Sequence, residues 1–393
     1  MINFLQKNYL ILIGWVYYLV VNSLFIIKYG NRLLNSYELL IALFIYLVGV
    51  HLIFISVHRF RNHDKLLKYV TLSIISLFLL YSLYINISLD SNTIKVDRWS
   101  ALNNSIGALL KGDYPYTAAT HLNGRSSNLP GLLLIGLPFY FLGNVGFLQI
   151  VSFLLISVCT FQIFHKNWIQ LIVILLFIST PANHWELIVK SDLVSNFALI
   201  LVFLLWYQQK NSHQINQKPI LIGILSTILF LTRFASIIPL GFLLLRDFFQ
   251  SKKNVQFKFM ATALFVFTLL WILVLYQAPS IEVIRNYNPI FLQSSQLPLH
   301  LSIICILVSL GFSLKANLPF QKILYSAFFL TLPVVLSFAG TIINSGLSNT
   351  LFGSYNDLSY LSIPLPFMIF GFAMAFVERS TAEEKKAKPS QIQ

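Results

Sequence analysis

Asp97 opens the stretch DRWSALNNSIGALLKGDYPY, one of the few polar segments in a chain otherwise built of apolar runs. A carboxylate held beside an apolar surface has its charged form desolvated and becomes a better proton acceptor, which suits Asp97 to general-base chemistry. An Asp just ahead of a helical run is also an ordinary N-cap, and one residue can do both jobs. Two arginines in other polar or turn-like segments could meet an anion. Arg125 in HLNGRSSNLP could grip a phosphate or simply meet lipid headgroups. Arg233 in LTRFAS is flanked on both sides by long apolar sequence. Either an anion or water-lined cavity receives its guanidinium, whose fork suits a phosphate, or Arg233 marks a hairpin tip and snorkels to headgroups.

In NHWELIVKSD, Lys190 and Asp192 precede a helical run, where Asp192 would favour the positive end of the dipole. His184 and Glu186 in that segment lack a third ligand at metal spacing, so a divalent metal is unsupported and no cofactor is expected. Arg285 and Tyr287 in the segment 278–298, and Tyr355 and Asp357 in SGLSNTLFGSYNDLSY, could line a substrate cleft or serve as interfacial anchors.

These residues need a membrane scaffold to position them. Of the 393 residues, 57% are hydrophobic and 10% charged, and the mean hydropathy is +0.75. A water-soluble domain of that composition would expose apolar surface, so the chain reads as an all-α polytopic membrane protein. The net charge of +14 comes from Lys and Arg scattered in short clusters between apolar spans, a pattern of topology determinants and not of a nucleic-acid face. Cys159 and Cys305 lie in separate apolar runs and imply neither a disulfide nor a metal site.

Apolar segments predict about twelve spans, near 9–27, 38–57, 69–88, 144–164, 168–182, 192–207, 219–232, 235–246, 259–277, 298–314, 322–342 and 358–377. Together they make a single transmembrane domain over 1–377, with an outer loop at 89–143 and a disordered cytoplasmic tail at 378–393. Within the outer loop, Trp99, Leu102, Ile106, Leu109 and Leu110 recur on one face of a helix, which predicts an amphipathic helix lying on the bilayer surface. The following PGLLLIGLPFYFLG, 130–143, is too short to span and is read as a second juxtamembrane helix. Threading the spans from a cytoplasmic N-terminus puts most of the 27 Lys and Arg inside. It leaves Asp90, Asp97, Asp113, Glu186, Asp192, Glu282 and Asp357 outside, so any chemistry is expected on the extracytoplasmic face. No glycine-rich phosphate loop lies on the inner side to use a cytosolic nucleotide donor.

At this point the chain resembles the GT-C superfamily, polytopic glycosyltransferases that take a sugar from a polyprenyl-phosphate carrier, and in particular its bacterial mannosyltransferase-like members. The resemblance rests on Asp97, Trp99, Ala101, Leu109, Leu110, Gly112, Pro115 and Tyr116 in that order, on the Pro-led apolar stretch 130–143, and on Lys190 to Asp192 at the opening of a span. Three spans precede the loop here where the family has one. The resemblance implies that Asp97 is the catalytic carboxylate, and that Lys190 and Arg233, with Arg98 or Arg125, contact the carrier phosphate. Partners would be the lipid-linked sugar, a glycan, lipid or protein acceptor, and membrane lipids, with a bacterial inner membrane as the expected location. A multispan transporter or lipid flippase is the competing expectation, which an ionisable group near the bilayer midplane would favour.

Overall fold

Proline and glycine set where many of the helices begin and end. Pro130, Pro181, Pro219, Pro289 and Pro319 each open a helix, where the missing N–H costs nothing and the fixed φ already suits the first turn. Gly112, at φ 84°, closes the helix behind Asp97. Its N–H reaches Leu109 O and the next N–H, of Asp113, reaches Ala108 O, so the last carbonyls of that helix find partners.

The computed structural model describes residues 9–59, 63–209, 214–295, 297–353 and 355–387, and among them there are helices and no strand. In chain order the helices are α1 (Tyr9–Gly30), α2 (Ser36–Arg59), α3 (Asp64–Ser88), α4 (Arg98–Lys111), α5 (Pro130–Phe141), α6 (Phe147–Ile163) and α7 (Asn167–Ile178). Then come α8 (Pro181–Ile188), α9 (Leu193–Gln209), α10 (Gln214–Gln217), α11 (Pro219–Phe230), α12 (Ile237–Gln250) and α13 (Lys253–Leu275). The last are α14 (Ile281–Asn286), α15 (Pro289–Ser294), α16 (Leu299–Ser313), α17 (Pro319–Ser345), α18 (Leu347–Phe352) and α19 (Leu365–Ala387).

Each of the twelve expected apolar segments falls on helix, but fewer are long enough to cross a bilayer. Six helices pass by length and hydropathy, or up to eight if the bent pairs α7 with α8 (54°) and the segment 281–313 (58°) each count as one span. The helices α6, α9 and α11 are apolar but shorter than the ~20 residues an upright crossing takes. For α9 its place in the fold explains this. Phe197, Leu201 and Leu204 of α9 are buried with Leu365, Phe367 and Phe370 of α19 in the main core, so α9 packs against protein. The outer helices do the opposite. Leu40, Phe44 and Ile45 of α2 and Leu264 and Phe265 of α13 are exposed, apolar helix faces suited to cover by lipid. The protein is therefore a membrane-embedded, multi-pass helical bundle.

Contacts between distant segments sort the turns into two ends. At one end the loops around 89–98, 120–130, 186–192, 231–236 and 285–293 touch one another. At the other, Asn167 Nδ2 donates to Asp64 O at 3.0 Å and Lys322 pairs with Asp247 at 3.6 Å. Helix α5 has both its ends at the Asp97 end. Gly131 N donates to Leu231 O, and beyond its far end Asn144 receives Trp99 Nε1 and donates to Asn86 O.

Two expectations are corrected here. The apolar face of α4 does not rest on a bilayer: Leu102 and Ile106 are buried against Leu132, Leu133, Val145 and Leu148, under α5 and the start of α6. Burial under the chain's own apolar helix removes the same surface from water. At the C-terminus, α19 runs on to Ala387, into the stretch expected to be disordered, because its Ala, Glu and Lys are strong helix formers. Residues 388–393 of that tail lie outside the described residues.

Candidate functional site

The loop between Thr120 and Pro130 is the piece around which the site is assembled. Thr120 and Gly124 close a tight turn, in which Asn123 N donates to Thr120 O, Thr120 N to Gly124 O and Gly124 N to Thr120 Oγ1 at 2.8 Å. Asn123 sits at φ 59°, a left-handed conformation that Asn tolerates better than most residues. The Thr120 hydroxyl then donates to Asp97 Oδ2 at 2.9 Å. A Cβ at position 124 would overlap that same carboxylate oxygen, so glycine is what lets the turn come up to Asp97.

Asp97 stands just before the first residue of α4 but makes no side-chain cap hydrogen bond, so its carboxylate is given to the loop and not to the helix. It is half-buried, and Thr120 is its side-chain partner among the described residues. The backbone around it is fixed from the other side. Ser100 Oγ lies 2.6 Å from His121 Nδ1, and His121 Nε2 lies 2.7 Å from Ile94 O, which as a carbonyl can only accept.

The expected cationic residues divide into those already engaged and those left at the surface. Lys190, at φ 49°, donates to Leu89 O and Ser91 Oγ, both at 2.7 Å, and so clamps the end of α3. Burial lowers its pKa, with Asp90 opposing the shift. Arg233 lies in extended backbone past the end of α11 and not within a span. It is buried and pairs with Asp192 at 2.5 Å, so its guanidinium is received by an anion of the protein itself and does not reach headgroups. Its remaining contacts, Asn128 Oδ1 at 3.1 Å and Ser127 Oγ at 3.4 Å, pin the far end of the same loop that carries Thr120. Gln293 locks this arrangement by donating to Ser127 O and accepting from Phe234 N.

Arg98 pairs with Asp357 at 2.5 Å and lies over the Tyr360 ring at 5.0 Å. Burial alone would raise the Asp357 pKa, but the adjacent Arg98 guanidinium holds it below the ordinary carboxylate range. Arg98 correspondingly stays charged: burial opposes its charge, and Asp357 together with Tyr360, Glu186 and Asp192 outweighs burial.

Arg125 is exposed, one residue past the glycine that abuts Asp97. One Nη donates to Asn286 O at 3.0 Å and the guanidinium stacks 4.4 Å from the Tyr287 ring centroid. Arg285, next to that carbonyl on α14, is exposed too. Tyr355 is exposed, and from its loop it is Asp357 that engages another expected site residue. Thus Asp97 and Arg125 flank one turn, and Arg125 ties that turn to α14, where Arg285 precedes the accepting Asn286, while Lys190, Asp192 and Arg233 form its rigid backing. His184 Nε2 is directed at Ile178 O, and among the described residues no three His, Cys, Asp or Glu side chains gather as metal ligands.

Thr120, His121 and Gly124 were not singled out as site residues in the sequence. The signal available was a glycine and two hydrogen-bonding side chains within HLNGRSSNLP and just before it, which read only as turn chemistry. Set against known proteins, the chain matches no family model, no curated protein and no solved structure.

Proposed function

We propose that this protein is a membrane glycosyltransferase that moves a sugar from a polyprenyl-phosphate donor to an acceptor outside the cytoplasm, with Asp97 as general base. The observation that carries the reading is the half-buried Asp97 carboxylate, held by one hydroxyl against Gly124, with the unburied guanidinium of Arg125 on the next residue. In the reaction Asp97 takes the proton of the acceptor hydroxyl, the oxygen bonds to the anomeric carbon, and the bond from that carbon to the phosphate oxygen breaks. The configuration inverts, and polyprenyl phosphate leaves with its growing charge met by Arg125 and Arg285. Charge met by positioned donors is the larger electrostatic part of such a barrier.

Arg233 and Lys190 support the site without touching phosphate, since each is spent on partners within the protein. The twelve-crossing threading, with the Asp97 end outside, belongs to this same proposal. Transport is the weaker reading: the buried pairs Arg233–Asp192 and Lys322–Asp247 lie at opposite ends of the bundle and not at its midplane.

The test is transfer by the purified full chain in proteoliposomes, using a panel of polyprenyl-phosphate-linked hexoses and release of polyprenyl phosphate as the readout. Asp97→Asn should lower the rate by roughly 10²–10⁴-fold with unchanged protein level. Transfer at the wild-type rate would remove Asp97 from the chemistry.

A further inference from the structure

Beside the Asp97 loop runs a groove of about 550 Å³, bounded by α4, the segment 113–119, Tyr140 of α5 and the turn after α13. That volume falls within the ~300–1,000 Å³ of small-molecule sites. Its walls are unlike those of a lipid pocket. The aliphatic lining is limited to glycine, alanine and one proline, and the larger side chains are amides, hydroxyls, two tyrosines and the opposite charges of Lys111 and Asp113.

Two lining side chains carry buried polar atoms with no partner. The hydroxyl of Tyr114, a residue 2% exposed, meets no acceptor, and Gln277 Oε1 receives no donor. Burial pushes the Tyr114 pKa up to about 12, so this group keeps its proton and can donate. Unmade bonds of this kind cost free energy in the empty protein and are regained when a ligand supplies both donor and acceptor. Sugar hydroxyls do both.

The groove also leads to Asp97. Thr117, Ala118 and Ala119 form one wall, and the next residue, Thr120, holds the Asp97 carboxylate. Along α4 the near edge of the groove, Asn103, is about 9 Å of helix rise from Asp97. Asn104 shares the helix face of Asp97 and Ser100, and it ties the wall to α4 by donating to Ala119 O at 2.9 Å.

We propose that this groove binds the acceptor, and that the acceptor is a hydroxyl-rich glycan of more than one sugar ring whose terminal hydroxyl reaches Asp97. The inference rests on the transferase reading and names the acceptor class for it. An uncharged oligosaccharide matches the balance of Lys111 with Asp113, the amides of Asn103, Asn104 and Gln277, and the Tyr140 side chain. A prenyl or acyl chain finds no comparable apolar wall there.

Isothermal titration of the full chain in nanodiscs with tetrasaccharides of glucose, mannose and N-acetylglucosamine tests this. At least one should bind the wild type, and Gln277→Leu should weaken it roughly tenfold through the lost amide. Gly107→Phe, which puts a ring into the groove beside Tyr140 and disturbs no hydrogen bond of Gln277, should weaken it as much, with both variants melting near the wild-type temperature. Binding of none of the three, or wild-type affinity in both groove variants, overturns the proposal. Groove-dependent binding together with full transfer by Asp97→Asn would instead sink the general-base reading and leave the groove standing.

Discussion

A single glycine decides how Asp97 is presented. Because a side chain at position 124 would meet the carboxylate and the Thr120 hydroxyl, Gly124→Ala must push the Asp97 side chain out of place. The displaced group is the far end of a flexible side chain, so the fold should hold while catalysis suffers. A misplacement near 1 Å can cost on the order of 10²-fold in rate. Rate measurements alongside thermal melts check this, and a Gly124→Ala protein with the wild-type rate would mean that Asp97 tolerates displacement. Asp97 was legible as a candidate because it stands at the head of a polar segment. Its holder was not, because Thr120 and Gly124 announce themselves only once the turn is closed. The Arg98–Asp357 pair makes a second residue-scale prediction. Asp357 has its pKa depressed on folding, so the pair's stabilisation is present above the ordinary carboxylate pKa of ~4 and fades as pH falls through the lower folded value. The melting temperatures of wild type and Asp357→Asn should therefore differ at pH 7 and converge below about pH 4. A gap that persists in acid would assign the effect to something other than this ion pair.

At the scale of elements, the join between α5 and α11 is what lets a short apolar helix stay at one end of the bundle. Gly131 N donates to Leu231 O at 2.8 Å, and a Cβ on Gly131 would overlap the backbone oxygen of Ile228. Backbone cannot step aside as a side chain can, so Gly131→Ala should cost about 1–3 kcal/mol. Thermal unfolding in detergent is the check, and an unchanged midpoint would show that the two helices are not held in this contact. The short length of 130–143 made legible in the sequence that this helix falls short of a bilayer crossing. What covers α4 was not legible, since an amphipathic stripe records only that an apolar face is buried, and bilayer and protein satisfy it equally. The segment 168–182 was read as one span, but the helix breaks after Ile178 and turns by 54° into α8. Pro181 begins the new helix there, a local signal outweighed by the hydropathy of its neighbours.

At the scale of the molecule, hydropathy made the helices legible, because a run of apolar residues must be covered by lipid or protein. It could not separate the two covers, which is why twelve apolar segments yield six to eight helices fit to span by length and composition. Partnerships across long sequence distances, such as Arg98 with Asp357 or Arg233 with Asp192, leave no trace in a single sequence. The bundle nevertheless gathers its polar loops into two distinct ends, and the account requires the Asp97 end to lie outside the cytoplasm, where a lipid-borne sugar would be met. Side-specific cysteine labelling tests this most directly. Cys159 and Cys305 are buried and contribute little background. Leu122 is exposed in the Asp97 loop, and Lys315 is exposed between α16 and α17 at the opposite end. In intact cells a membrane-impermeant maleimide should label Leu122→Cys at once and Lys315→Cys only after the membrane is opened. Labelling of Lys315→Cys from outside, with Leu122→Cys protected until permeabilisation, would contradict the account.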